Sequence, residues 1–276
     1  MLQVLRTRTI GECIYCGSIN EPLQTEHTVP YGLMRYGDGL NEDVILHQAS
    51  CSACALITSQ FEQDTQRCVF QPMRTVLGLR TRNRHARPKR LPLLLESHGL
   101  WWSIGLSPAE YPLYLPVIRF PAPGVLVGRP RTPGIQPEVD VRHLAGPTLQ
   151  DMWDVALRYR ATFVGERLNF SPTDFARTLA KIAYGVAVCN LGIRPFKNAE
   201  IRRIILGQDP CVGHWVGSSD GDMTQKAGAH AIQVHASGSD LHVFLRLFAQ
   251  VEAPEYHVVL GPADPAFVNS DEWPFK

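Results

Sequence analysis

The hydrophobic positions along this chain change period twice. Residues 97–120 place aromatic and aliphatic side chains in alternation (HGLWWSIGL, then YPLYLPVIRF), which predicts strands. Nine prolines fall from Pro108 to Pro147, a density that excludes long helices and predicts extended edges, loops or a linker. The period then becomes helical. Over Leu149–Phe163 the residues Leu149, Met152, Trp153, Ala156 and Leu157 share one face. A second helix is predicted to start at Ser171-Pro172-Thr173-Asp174. Ser171 can cap it, Pro172 fits the first helical position, and Asp174 suits the positive helix end. Phe175, Leu179, Ile182, Ala183 and Val186 continue it as an apolar stripe, and Gly192 is placed to stop it. The last third returns to alternation. Ala229–Val234 and Leu241–Phe248 flank Ser237-Gly238-Ser239-Asp240, a hairpin signature, and Glu255–Leu260 makes a third strand.

With 276 residues, 45% apolar and 19% charged, the chain can bury a sizeable core and does not have the composition of a disordered one. The net charge of +1 excludes a global electrostatic case for nucleic acid, so the distribution of charge matters instead. Between Asp64 and Glu96 there is no acidic residue. From Met73 to Arg90 there are seven basic ones: Arg74, Arg80, Arg82, Arg84, Arg87, Lys89 and Arg90. Such a stretch binds phosphates without sequence preference. Pro88 and Pro92 predict an extended arm, and no base-reading helix accompanies it.

Seven cysteines, an odd number, do not make a secreted disulfide framework. The first residues, MLQVLRTRTIGE, lack an apolar core for a signal peptide, and no run of 18 apolar residues exists. The expectation is a reducing, cytoplasmic compartment without membrane contact. Four of the cysteines fall into Cys13-Ile-Tyr-Cys16 and Cys51-Ser-Ala-Cys54, with 34 residues between the pairs. Each pair brings two thiolates to one ion, and together they complete a closed tetrahedral shell, the structural kind of zinc site. Gly17 lets the chain turn back over the first pair. A redox role does not fit, because no βαβ pattern surrounds either pair.

Between the pairs lies Thr25-Glu26-His27-Thr28-Val29-Pro30. The succession Cys-x-x-Cys, Glu26-His27-x-x-Pro30, Ala49-Ser50-Cys51-x-x-Cys54 and Thr58-x-x-Phe61-Glu62 resembles the HNH (ββα-metal) endonuclease superfamily, in a bacterial and phage branch with a four-cysteine zinc site. The arginine-rich segment ending Arg87-Pro88 fits the same branch, and the resemblance covers roughly residues 10–90. It implies that His27 is a general base, taking a proton from the attacking water, and that Glu26 ligates a divalent ion, Mg²⁺ or Mn²⁺. The family carries His or Asn just after the second Cys-x-x-Cys, where this chain has Ala55. Glu62 is the substitute. It lies eight residues past Cys54, so it shares that cysteine's helix face with Thr58. Asn41 and Asp43 both remain open for the family's middle Asn, and His47 is near them.

The fold expected is α+β: an N-terminal zinc-stapled ββα-metal module with its basic arm (1–95), a strand- and Pro-rich connection (96–148), and a C-terminal helix-and-antiparallel-sheet domain (149–276). The function expected is endonucleolytic hydrolysis of DNA, with RNA not excluded. Two rivals remain: a zinc-stapled nucleic-acid binder whose site has decayed, and a regulatory or interaction protein led by the C-terminal half. His230, His235, His242 and His257 are read as ordinary strand histidines, not as a second metal site.

Overall fold

The computed structural model describes residues 7–34, 44–81, 87–165, 168–196, 199–221, 230–251 and 253–275. It is a mixed α+β fold. The first sheet has three strands, β1 (Thr7–Thr9), β2 (Leu23–His27) and β3 (Ile45–Cys51), with β3 in the middle. β3 lies antiparallel to β2 and parallel to β1. Its last residue, Cys51, is also the N-cap position of α1 (Ser52–Cys68), so the strand runs directly into the helix. A short helix α2 (Gln71–Val76) follows, with Pro72 in the first turn, where no N–H is needed. The basic stretch therefore begins as a helical turn.

β4 (Leu91–Ser97) and β5 (Leu100–Leu106) form a hairpin, and β6 (Leu113–Arg119) pairs with β7 (Glu138–Ala145) as a separate ribbon. Pro116 is tolerated there because neither strand of a two-stranded ribbon must donate on both sides. α3 (Leu149–Arg158) opens on a capping box between Thr148 and Asp151. It is shorter than its period predicts. Arg160 turns into the left-handed region at φ 54°, and the chain returns as β8 (Phe163–Gly165) on the free edge of β4. The expected apolar face is also divided. Met152 and Ala156 pack on Leu93 and Leu95, whereas Trp153 and Leu157 stand 54% and 70% exposed. A three-stranded sheet is too narrow to cover both rows.

α4 (Pro172–Leu191) begins and ends as predicted. The Ser171 hydroxyl accepts from the Asp174 N–H, Pro172 takes the first turn, and Gly192 closes the helix at φ 77°. The expected single stripe is instead burial on nearly every side. Phe175, Leu179, Ile182, Ala183 and Val186 are buried, and so are Thr178, Lys181 and Tyr184. The short α5 (Ile201–Ile205) follows. β9 (Val216–Ser219), β10 (His230–Ser237), β11 (Asp240–Leu247) and β12 (Glu255–Pro262) then form an antiparallel sheet in the order β10-β11-β12-β9, before the terminal turn α6 (Pro265–Val268). The β10–β11 hairpin turns at Gly238-Ser239, as predicted. β9 has no counterpart in the pattern, being four residues long with a glycine inside.

α4 is the axis of the molecule. One side rests on α1, another on β9–β12, and a single apolar core joins Cys13–Leu79, Leu113–Phe120 and Phe175–Trp273 around it. Gly185 is required at the closest approach. A Cβ there would lie 2.8 Å from the Thr28 side chain, just past the end of β2. Among the described residues, no helix is long and apolar enough to cross a membrane.

Candidate functional site

Two clusters of charged or ligating groups flank the β2–β3–α1 unit. In the first, the Sγ atoms of Cys13, Cys16, Cys51 and Cys54 all lie within 4.8 Å of one another, and those of Cys16 and Cys51 are 3.7 Å apart. Zinc bound tetrahedrally at about 2.3 Å from each sulfur separates the sulfurs by about 3.8 Å, so the set fits and could hold such an ion. The first knuckle is shaped by Gly17, at φ 77°, whose N–H bonds to the Cys13 carbonyl at 2.8 Å. Burial raises the Cys13 thiol, but backbone N–H groups of Cys16, Cys51 and Tyr15 outweigh it and hold the thiol below its ordinary value. Burial and then the Cys13 charge push Cys54 far up. The set of four close thiols, one held below its ordinary value and two raised chiefly by burial, could take up a cation together. Cys68, Cys189 and Cys211 are not part of it. The knuckle is tied to the rest of the fold from behind. Tyr184 of α4 donates to the Ile14 carbonyl at 2.7 Å, and Arg202 of α5 donates to the Tyr15 carbonyl at 2.7 Å.

The second cluster is built on β2. Pairing between β2 and β3 shifts between Gln24↔Ser50 and Glu26↔Leu46, leaving two surplus residues on β3, and Gln48 there sits at φ 50°. Such a bulge re-aims the facing strand. Glu26 is thereby buried, and His27 next to it lines the adjoining cleft. Glu62 approaches from α1, two turns beyond Cys54, with Thr58 buried between them. Glu26 and Glu62 meet on one ammonium. Lys181 of α4 places Nζ 2.6 Å from Glu26 Oε1 and 2.6 Å from Glu62 Oε1. It also donates to the backbone carbonyl of His27 and, at 3.4 Å, to that of Thr28. Lys181 is 1% exposed. Burial lowers its basicity, but the two carboxylates raise it more, so it is held above its ordinary value and is charged. The Tyr15 hydroxyl is raised well above its ordinary value, by burial and then by the charges of Glu26 and Glu62.

Glu26, His27 and Glu62 line one cleft of about 590 Å³, together with Arg67, Arg74 and Arg80. The His27 ring meets Tyr31 edge-on at 5.8 Å, and Arg80 lies over Tyr31 at 5.7 Å. Arg74 donates to the Gly32 carbonyl at 2.8 Å, and burial lowers its basicity. Ala55 also lines this cleft, where the expected helix would carry His or Asn. The other basic residues are placed differently. Arg87 donates to the Leu79 carbonyl at 2.5 Å and Arg90 to the Gly105 carbonyl at 2.8 Å, while Lys89 is exposed. Arg82, Arg84, Asn41 and Asp43 lie outside the described residues. His47 is exposed on β3 and does not line the cleft.

Arg67 stands in the acid-free stretch after Asp64 but is not among the expected binding residues, and pattern reading passed over Lys181. Lys181 did leave a trace, as the one charge between Arg177 and Arg194 in an otherwise apolar helix. A lysine is almost never fully buried unless it is paired, so its partners had to be sought elsewhere in the chain. Among the C-terminal histidines, His242 and His257 are buried, and His230 is half-buried with both ring nitrogens bonded. Its Nε2 bonds to the Leu33 carbonyl at 3.1 Å and its Nδ1 accepts from the Phe248 N–H at 3.2 Å. His242 Nδ1 and His257 Nε2 lie 3.0 Å apart. Comparison with protein-family models, curated proteins and solved structures finds no match to this chain.

Proposed function

We propose that the chain is an HNH-like endonuclease that hydrolyses phosphodiester bonds in DNA, with His27 as the general base. The observation that carries this reading is the convergence, in one cleft, of a histidine, two carboxylates from separate elements, and the arginines 67, 74 and 80. A neutral imidazole can take the proton of an attacking water near pH 7. The arginines give the nucleic-acid backbone a cationic wall. The ββα succession of β2, β3 and α1 around the four thiols supports the family reading. Glu26 and Glu62 offer hard oxygen donors, the kind Mg²⁺ or Mn²⁺ takes, and the ion would be held beside Lys181, because the ammonium fills the point between their Oε1 atoms. Bound there, it would stabilise the charge that develops on the leaving oxygen.

Purified zinc-loaded protein with Mg²⁺ or Mn²⁺ is expected to nick supercoiled plasmid, and His27→Ala to lower the rate by about 10²–10⁴-fold. Undiminished cutting by that variant removes His27 from the role of base. A second reading has its own observation. Ala55 in the cleft, with a lysine already between the carboxylates, also suits a nucleic-acid binder without catalysis. That protein would bind DNA in a salt-sensitive way and would not cut it with any divalent ion. Running the same assay on RNA identifies the polymer.

A further inference from the structure

Lys181 has an unusual set of neighbours for a lysine. Four oxygens converge on Nζ: one from Glu26, one from Glu62, and the carbonyls of His27 and Thr28. An all-oxygen shell containing two carboxylates is what a hard divalent cation prefers. Here the chain supplies the cation itself, from an element that is far from β2 and α1 in sequence. The ammonium cannot withdraw. α4 is buried on nearly every side, and one turn further on Gly185 sits against Thr28 with no room for a Cβ. Among the described residues the cleft also carries Arg67, Arg74 and Arg80, and Arg74 is committed to the Gly32 carbonyl.

We propose that Lys181 is the resident cation of the carboxylate site: it holds Glu26 and Glu62 together in the absence of metal and weakens their hold on a divalent ion. The inference rests on reading Glu26 and Glu62 as ligands of such an ion. Lys181 is then a positioning residue whose charge sets metal affinity from within. Without it, Glu26 and Glu62 lose the ammonium that bridges them, and the oxygen-lined place between them becomes available to a divalent ion. Binding of the divalent ion at this site then stabilises the fold more strongly.

The experiment uses the full zinc-loaded chain, with Mn²⁺ as the probe and no nucleic acid. Mn²⁺ affinity is measured by calorimetry and the melting temperature is measured with and without the ion. The proteins are the natural chain, Lys181→Met and Lys181→Met/Glu62→Gln. Lys181→Met is expected to melt lower without Mn²⁺, to bind Mn²⁺ at least about tenfold more tightly, and to regain stability as the ion is added. The double variant, which loses one carboxylate with the ammonium, is expected to fold without Mn²⁺ and to return to weak binding. The proposal is overturned if Lys181→Met binds Mn²⁺ no more tightly than the natural chain, or melts at the same temperature without it. Should Lys181→Met fail to fold in any condition, the double variant decides: folding supports the charge account, and failure to fold overturns it. Plasmid cutting enters none of these measurements, so a failed nicking assay and a failed Mn²⁺ titration strike different claims.

Discussion

The thiol cluster and the carboxylate cluster are both built on β2, β3 and α1, and both are secured from behind by α4. They differ in where the parts come from. All four sulfurs belong to two short knuckles, and Tyr184 merely supports one of them by its bond to the Ile14 carbonyl. The carboxylates are completed by Lys181, which stands 154 residues beyond His27. The thiol cluster is closed, suited to holding a fold. The carboxylate cluster opens on a cleft with His27 and three arginines. A local ligand set announces itself by spacing, whereas a long-range one depends on the whole fold being formed.

The largest expected effect divides the two directly. Four-thiolate zinc sites contribute on the order of 10 kcal/mol to the folding of small domains. Stripping zinc with a strong chelator, or Cys51→Ser, is expected to melt the β2–β3–α1 unit, read as loss of helical circular dichroism with one equivalent of zinc released. Unchanged spectra after chelation would remove the structural role of the thiols and break the comparison.

A smaller effect concerns the attachment of the cleft to the C-terminal sheet. His230 bridges the Leu33 carbonyl and the Phe248 N–H, and burial pushes it down to about 4, despite the Leu33 carbonyl, which raises it. His257 is also pushed down to about 4, by burial and then by His242 and His235. Both are neutral in the folded chain, while the unfolded chain takes up their protons near pH 6.5. The folded state binds fewer protons across that window, so stability is complete above about pH 6.5 and is lost as pH falls toward 4, by about 3 kcal/mol per histidine. Denaturant titrations at pH 7, 5.5 and 4.5 measure this, and His230→Gln is expected to flatten the profile. An unaltered slope in that variant would show that His230 is not the titrating link.

The smallest effect sharpens the open side of the comparison. Arg80→Ala is expected to weaken DNA binding at every sequence and to reduce the salt slope by about one. Arg90→Ala is the contrast, since its guanidinium bonds to Gly105 outside the cleft, and it is expected to leave the slope unchanged. Equal losses for both would mean that the basic stretch acts as a whole.

What could be read in advance follows the same division. The knuckle spacing and the Ser171, Pro172 and Gly192 punctuation of α4 are local, and each appears in the fold where the sequence puts it. The placement of Glu62 on the Cys54 face needed only helical geometry. The meeting of Glu62 with Glu26 on Lys181 did not follow, because it depends on packing α4 across α1 and β2. The end of α3 was misread for a similar reason. Its apolar period continues, but β4 offers Phe163–Gly165 a strand pairing that periodicity does not register. Charge counting could not separate Arg74 and Arg80, which line the cleft, from Arg87 and Arg90, which bond to carbonyls of residues outside its lining.

The position of Lys181 in α4 has a consequence for synthesis. A chain made from its N-terminus has both knuckles and both carboxylates before it has α4, and at cellular elongation rates the ammonium follows His27 by on the order of ten seconds. During that interval the nascent protein has all four thiols, but Glu26 and Glu62 lack the ammonium that bridges them, and β3 and α1 lack the helix that packs against them. A cutting activity dependent on that pair would be withheld until translation had passed residue 181. The order of residues along the chain would then act as a timer, and a premature stop anywhere between α1 and α4 would leave a zinc-binding fragment with an unfinished site.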